Sequence, residues 1–367
     1  MRFLICAFAA LSLLPAEAPA QSAVLIGLHF NAWDDEKGVN PPGYRTFLIT
    51  FRDGKARLSA EIPDLIVPRK DGFWRVGAVH NGPARDGGFQ EFVYVSPARS
   101  IPRALGEYHP PAAGGNCDRT DQAAIEFVSP DLLSVSYLHA PGCSLESETQ
   151  HSTYNLDEPA RPLDIRAVLG PAGWMALKKA DAAAKAAVNL PRKCMGMSSA
   201  TATNWGFERS SRLPNSSKKD WILVGDFSAP HVCNGGDTFE IKSPIPESVI
   251  RAHYQSSTLL SLASSAAARE IGIDPNEAAL TPAGDFLVAF TSSSYGEPIR
   301  VFQVNGQTLK AAPALSVSTG INLSWGFNVV MLQWALGTHV EKWEAELKAI
   351  AASPLPEPTV AVGKQQD

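Results

Sequence analysis

Short apolar runs, punctuated by Gly, Pro, Asn and Asp, set the pattern of this chain. Runs of this length rich in β-branched and aromatic residues read as strands, and a close turn signal between two of them reads as a hairpin. Residues 24–30 form the first such run. Residues 44–51 and 56–62 flank Asp53-Gly54, a strong hairpin signal. Residues 65–77 hold an apolar strand, a charged turn at Arg69-Lys70-Asp71 and an aromatic strand with Phe73 and Trp74. Further strands are predicted at 89–95, at 124–128 and 132–138 across Ser129-Pro130-Asp131, and at 151–156. The pattern continues at 203–208 and 221–227 across a polar turn with Pro214 and Asn215, at 238–241, and at 285–291 with 299–304.

Three segments change period. Pro171 suits a first helical turn, and Trp174, Leu177, Ala184 and Val188 then recur at helical spacings until Pro191. Residues 256–271 predict an Ala/Leu/Ser helix stopped by Gly272 and Asp274-Pro275. Val340, Trp343, Leu347 and Ile350 give a final helix with one apolar face. The expected fold is therefore α+β, mainly antiparallel hairpins with about three helices.

One internal echo stands out. Trp74, Phe92 and Ser96-Pro97 recur 147 positions later as Trp221, Phe239 and Ser243-Pro244. The echo reads as two related β units; a chance match between strands with similar turns stays open beside it. The chain divides accordingly into an N-terminal α+β unit at 21–190 and a C-terminal one at 191–352. A tail at 353–367 carries Pro354, Pro356 and Pro358 and is expected to be disordered.

The start of the chain adds a compartment. Arg2, the apolar run at 3–14 and Ala18-Pro19-Ala20 form the three regions of a secretory signal at residues 1–20, leaving a mature chain from Gln21. The run is shorter than the ~20 residues that span a bilayer. No transmembrane segment is expected after cleavage, and Cys6 leaves with the signal. The product is expected to be periplasmic or secreted.

Cys117, Cys143, Cys194 and Cys233 remain, an even number that fits disulfides in an oxidising space. Cys117 and Cys143 lie 26 residues apart, centred on Pro130; Cys194 and Cys233 lie 39 apart, centred between Leu213 and Pro214. Each pair is expected to close its hairpin, stabilising it by roughly 3.5–4 kcal/mol in the chain-entropy picture. A four-thiolate zinc site is disfavoured, because such ligands usually come in close pairs. No metal or other cofactor is predicted.

Charge and motifs narrow the chemistry further. A formal net charge of −5 offers no electrostatic case for nucleic acid. Asp34, Asp35 and Glu36 lack the alternating spacing of a calcium loop and read as an exposed turn. No G-x-S-x-G elbow or H-E-x-x-H pair occurs, and Ser216 and Lys219 match S-x-x-K inside a polar turn. The eight histidines are scattered. Asp226, Asp237 and Glu240 beside one hairpin, and Glu146, Glu148, Asp157 and Glu158 after the other, are the carboxylate candidates for glycosidase-type chemistry, with solvated loop positions as the plain alternative. Trp33, Trp74, Trp205, Trp221, Trp325 and Trp334 fit packing better than ligand stacking, since tryptophan is highly buried on average. The catalytic and ligand-binding residues are thus unassigned.

Residues 131–169 carry Leu132-Leu133-Ser134-Val135-Ser136-Tyr137, then Tyr154-Asn155-Leu156-Asp157, then Leu163-Asp164-Ile165-Arg166-Ala167-Val168-Leu169. This stretch resembles the extracellular domain shared by lysozyme-sensing anti-sigma factors and some secreted peptidoglycan deacetylases. It departs where that family has Gly-Ala-His-Pro; Gly142-Cys143-Ser144 stands there instead. The resemblance implies an envelope location, an α+β fold and a binding or accessory module, and it carries over no catalytic residue. Two functions follow: a binding or interaction protein contacting an unknown envelope component or protein, and, as the alternative, a hydrolase acting on an envelope polymer.

Overall fold

The computed structural model describes residues 22–30, 43–81, 89–105, 119–141, 148–187, 205–209, 220–228, 238–251, 272, 278–281, 285–290, 297–305, 308–310, 312–318, 332–335 and 340–353. Among these the fold is α+β and mostly antiparallel, with four sheets and two α-helices. Two helices stand where about three were expected; the third, at 256–271, lies outside the described residues.

The middle layer is a four-stranded sheet. Strands β1 (Ser22–Phe30), β2 (Gly43–Arg52) and β3 (Lys55–Pro63) form a meander, and β19 (Leu332–Ala335) pairs with the other edge of β1. The β2–β3 turn is Asp53-Gly54, with φ of 52° and 67°, the doubly positive conformation of the predicted tight turn. Successive strand residues point to opposite faces, and here both faces are apolar. Ala23, Leu25, Tyr44 and Leu48 enter one core, while Val24, Ile26, Leu28, Phe47, Ile49 and Phe51 enter another.

The first core is shared with a seven-stranded sheet. Its strands are β4 (Leu65–Arg69), β5 (Gly72–Asn81), β6 (Phe89–Pro97), β7 (Arg103–Ala104), β8 (Arg119–Val128), β9 (Leu132–Pro141) and β10 (Glu148–Asn155). They run in the order β10-β9-β8-β6-β5-β4, with β7 on β6 and a short parallel pairing of β6 with β8. The sheet curls on itself. Leu65, Ile66 and Val67 from one end share a core with Leu133, Val135 and Tyr154 from the other.

Helix α2 (Val340–Ala351) closes this core with Val340, Leu347 and Ile350, the predicted apolar face. Trp343 meets Phe73 edge-on at 5.2 Å.

On the opposite face of the middle layer lies a five-stranded sheet of β14 (Ala278–Leu280), β15 (Phe286–Phe290), β16 (Ile299–Asn305), β17 (Thr308–Leu309) and β18 (Leu315–Val317). Phe286 packs on Phe51 with centroids 4.9 Å apart. Strands β7, β14, β17, β18 and β19 were not expected. They are 2 to 4 residues long, too short for alternation to register.

Strands β11 (Trp205–Arg209), β12 (Asp220–Ser228) and β13 (Thr238–Pro246) form the fourth sheet. β13 runs farther than expected and includes Pro244 and Pro246, tolerable because it is an edge strand. Trp205, Phe207, Leu223 and Ile245 pack with Phe127 and Leu132 and with α1 (Ile165–Ala187). The free edge of β11 is served by two hydroxyls. Thr153 Oγ1 donates to Trp205 O (3.0 Å), and Phe207 N donates to Ser134 Oγ (3.0 Å). That pairing accounts for buried Ser134 and Thr153, because a buried backbone group needs a partner.

Helix α1 starts at Ile165, six residues before Pro171. It breaks at Gly170 (φ 67°, ψ 177°) and resumes at Pro171.

Candidate functional site

Asp64 is the single residue between β3 and β4, so it is the joint between the middle layer and the seven-stranded sheet. Its φ of 80° lies in the left-handed region, uncommon for a side-chain-bearing residue. The joint is held by its own backbone: Asp64 N donates to Tyr44 O at 2.7 Å, and Asp64 O accepts from Thr46 Oγ1 at 2.8 Å. Thr46 Oγ1 in turn accepts from Ile66 N at 2.8 Å.

The Asp64 side chain completes a buried polar cluster. Tyr94 Oη donates to Asp64 Oδ1 at 2.5 Å. Arg75 Nη1 stands 4.0 Å from Asp64 Oδ2, and Arg75 Nη2 donates to Ile350 O at 2.7 Å, in the last turn of α2. Gly77 lies beneath; a Cβ there would stand 2.5 Å from Tyr94 Oη and 2.6 Å from Asp64 Oδ1, so only glycine permits the approach. Burial pushes the Asp64 carboxyl up to about 6, against the lowering effects of the Tyr94 hydrogen bond and the Arg75 charge. Burial, then the Asp64 charge, raises the Tyr94 phenol above its ordinary range. With Asp64 7% and Arg75 1% exposed, the chemistry open to this cluster is proton binding and positioning rather than contact with a substrate.

A different arrangement faces solvent on α1. Trp174 is half-buried, with the Arg166 guanidinium carbon 5.6 Å and Lys178 Nζ 5.3 Å from its ring. Helical spacing places Trp174 and Lys178 on one face. The break at Gly170 brings in Arg251, whose N–H donates to Val168 O at 2.8 Å and whose Cγ would lie 3.9 Å from a Cβ on Gly170. Met175 is 64% exposed. Arg166 also chelates Asp164, and that hydrogen bond holds the Asp164 carboxyl below its ordinary range. The result is a half-buried indole flanked by cations.

Of the tryptophans singled out in the sequence, Trp205 is 2% exposed and belongs to the core, as packing predicts. Trp74 is half-buried at the edge of the first core, with Arg69 4.7 Å from its ring and its Nε1 donating to Asp71 at 3.2 Å. Trp33 and Trp325 lie outside the described residues, as do the side chains of Trp221 and Trp334. Trp174 was assigned only to a helix face by its spacing; the cations around it come from three-dimensional proximity.

Asp157 pairs with Arg69, and Glu158 is exposed. Asp226 and Glu240 stand directly opposite each other in the β12–β13 register. Glu146, Asp237, Ser216, Lys219, Cys117, Cys143, Cys194 and Cys233 lie outside the described residues. Among the described residues, no three His, Cys, Asp or Glu side chains converge as metal ligands, and no helix is long and apolar enough to cross a membrane. Asp64, Arg75 and Tyr94 went unnoticed in the sequence, where the only signal was one charge at a strand junction and one inside an apolar strand. Comparison with family models, with curated proteins and with solved structures finds no match.

Proposed function

We propose that the protein is an exported binding protein, periplasmic or secreted, whose partner is a cell-envelope component or another envelope protein. The observation that carries this reading is Trp174 on α1, half-buried with Arg166 and Lys178 over its ring. An indole offers a flat apolar plate, and flanking cations add attraction for an anionic group. A partner presenting a ring or apolar group together with a carboxylate or phosphate matches this surface. The signal-like start and the resemblance of residues 131–169 to envelope binding domains support the compartment.

The disulfides belong to the same reading. Arg119 pairs with Pro141 at the open end of the β8–β9 hairpin, and Cys117 and Cys143 flank those two positions in the sequence. Cys194–Cys233 rests on the hairpin symmetry of the sequence. Two related β units also remain part of the proposal. The β5–β6 and β12–β13 hairpins cover nearly the same shifted positions, but Trp74 faces Pro97 whereas Trp221 faces Ile245, one residue out of step.

Co-sedimentation of the purified protein with insoluble peptidoglycan sacculi tests the binding reading. Wild type should pellet with sacculi, and Trp174→Ala and Lys178→Glu should each lower retention severalfold while keeping the wild-type melting temperature within a few degrees. Retention of both variants equal to wild type overturns Trp174 as the binding surface, and no retention of wild type rules out peptidoglycan as the partner.

A second reading, hydrolysis of an envelope polymer, is favoured by one observation: Asp226 opposite Glu240. Glycoside cleavage calls for two carboxyl-bearing residues at nearby positions, and this register supplies two such positions. Release of soluble fragments from dye-labelled sacculi by wild type, lost in both Asp226→Asn and Glu240→Gln, would establish it over the first.

A further inference from the structure

We propose that the joint at Asp64 is a proton-linked clasp, in which burial of the Asp64 carboxyl beside Arg75, the residue that holds the last turn of α2, couples protonation of that carboxyl to closure of α2 over the junction of the two sheets. The proposal stands apart from what the protein binds.

The geometry is that of a closed but imperfectly satisfied charge site. Asp64 Oδ2, Arg75 Nε and Arg75 Nη1 are buried without a hydrogen-bond partner. Arg75 Nη1 and Asp64 Oδ2 stand 4.0 Å apart, beyond a direct hydrogen bond. A buried ion pair without close contact recovers little of its desolvation cost. Closure therefore disfavours the ionised carboxyl. The neutral carboxyl still accepts the Tyr94 hydrogen bond, and Arg75 keeps the Ile350 carbonyl at the negative end of the α2 dipole. Strain at a left-handed Asp64 is the kind of outlier that clusters at switch points.

The groups facing the site are few. β5 supplies Arg75, β6 supplies Tyr94, and β2 supplies Thr46 and Tyr44, whose Oη accepts from Ile125 N at 2.8 Å. On α2, Glu344 binds Arg52 at 2.8 Å and Lys348 at 2.7 Å, and the Lys348 bond holds its carboxyl below the ordinary range. Glu344 thus titrates well below the window in which Asp64 changes charge, and its protonation would act in the opposite sense by freeing α2.

The sign follows from linkage. The closed state raises the carboxyl from 3.8 to about 6, so it binds the proton more tightly than an opened, hydrated state does. Closure gains as pH falls from about 6 toward 3.8, and the gain is lost as pH rises through 6, above which closure no longer depends on this group.

Amide hydrogen exchange of the full chain at pH 5.0 and 7.5, corrected for intrinsic rates, tests this at peptides covering 340–353. If opening hydrates Asp64 fully, protection at pH 5.0 should exceed that at pH 7.5 by about tenfold. Asp64→Asn, a neutral mimic, should abolish the difference and hold α2 at its acid level. Tyr94→Phe, which removes a hydrogen bond that lowers the carboxyl's affinity for protons, should move the transition to higher pH and keeps the test alive if Asp64→Asn does not fold. Equal protection at both pH values in wild type, greater protection at pH 7.5, or an unshifted transition in Tyr94→Phe overturns the proposal.

Discussion

Arg69, at the end of β4, is hydrogen-bonded to Asp157, just beyond β10, although β4 and β10 end opposite sides of the same sheet. The Arg69 side chain is 3% exposed; its guanidinium also donates to Pro130 O in the β8–β9 turn and lies over the Trp74 ring. It ties together the edges of a sheet that curls around a common core. Asp157→Ala leaves Arg69 with the Pro130 carbonyl and the more distant Asp71, at 3.7 Å. Since Asp157 is 48% exposed, the cost should be about 1–2 kcal/mol rather than that of breaking a fully buried pair. Urea unfolding reads this directly; a change below a few tenths would show that the sheet closes without the pair.

Gly77→Ala should be far more costly than an ordinary strand substitution. The new methyl would meet Tyr94 Oη and Asp64 Oδ1 well inside contact distance. Overpacking of this kind costs about 1–3 kcal/mol. Tyr94→Phe removes the closest atom, so the double variant should lose less than the sum of the singles. A double-mutant cycle in urea measures that coupling, and strict additivity would count against the contact.

Global stability should carry the sign of the Asp64 shift. A carboxyl raised to about 6 in the folded chain and ordinary in the unfolded one adds stability as pH falls from 7.5 to 5. The contribution is of order 1 kcal/mol over that range. Guanidinium melts at both pH values, in wild type and Asp64→Asn, isolate it: the variant should lack this increment. A wild-type increment retained unchanged in Asp64→Asn would assign the effect to other groups.

The mature protein should contain no free thiol. Titration of denatured, unreduced protein should find none, and peptide mapping should recover residues 117 and 143 in one linked peptide pair. Two or more reactive thiols would defeat the pairing.

Several hairpins were legible because their information is local. Asp53-Gly54 and Ser129-Pro130-Asp131 specify turns through the residues that form them, and alternation carries the register outward only as far as an irregularity at Leu48/Ile49 in one hairpin and at Ile125/Phe127 in the other. The spacing of Val340, Trp343, Leu347 and Ile350 likewise marked the inward face of α2. Alternation could not say which core each face of β1 would join, because Val24, Leu25 and Ile26 are all apolar and both faces are buried. Nor could it pair β1 with β19, about 300 positions away, or set β6 parallel to β8. The Asp64 cluster belongs to this second kind. Its members at 64, 75, 94 and 350 meet only after two sheets and a helix have packed. An aspartate in a strand junction has an ordinary carboxyl until that packing removes water from it, so its charge state is a property of the layers around it, and the residue sequence supplied only the group to be perturbed.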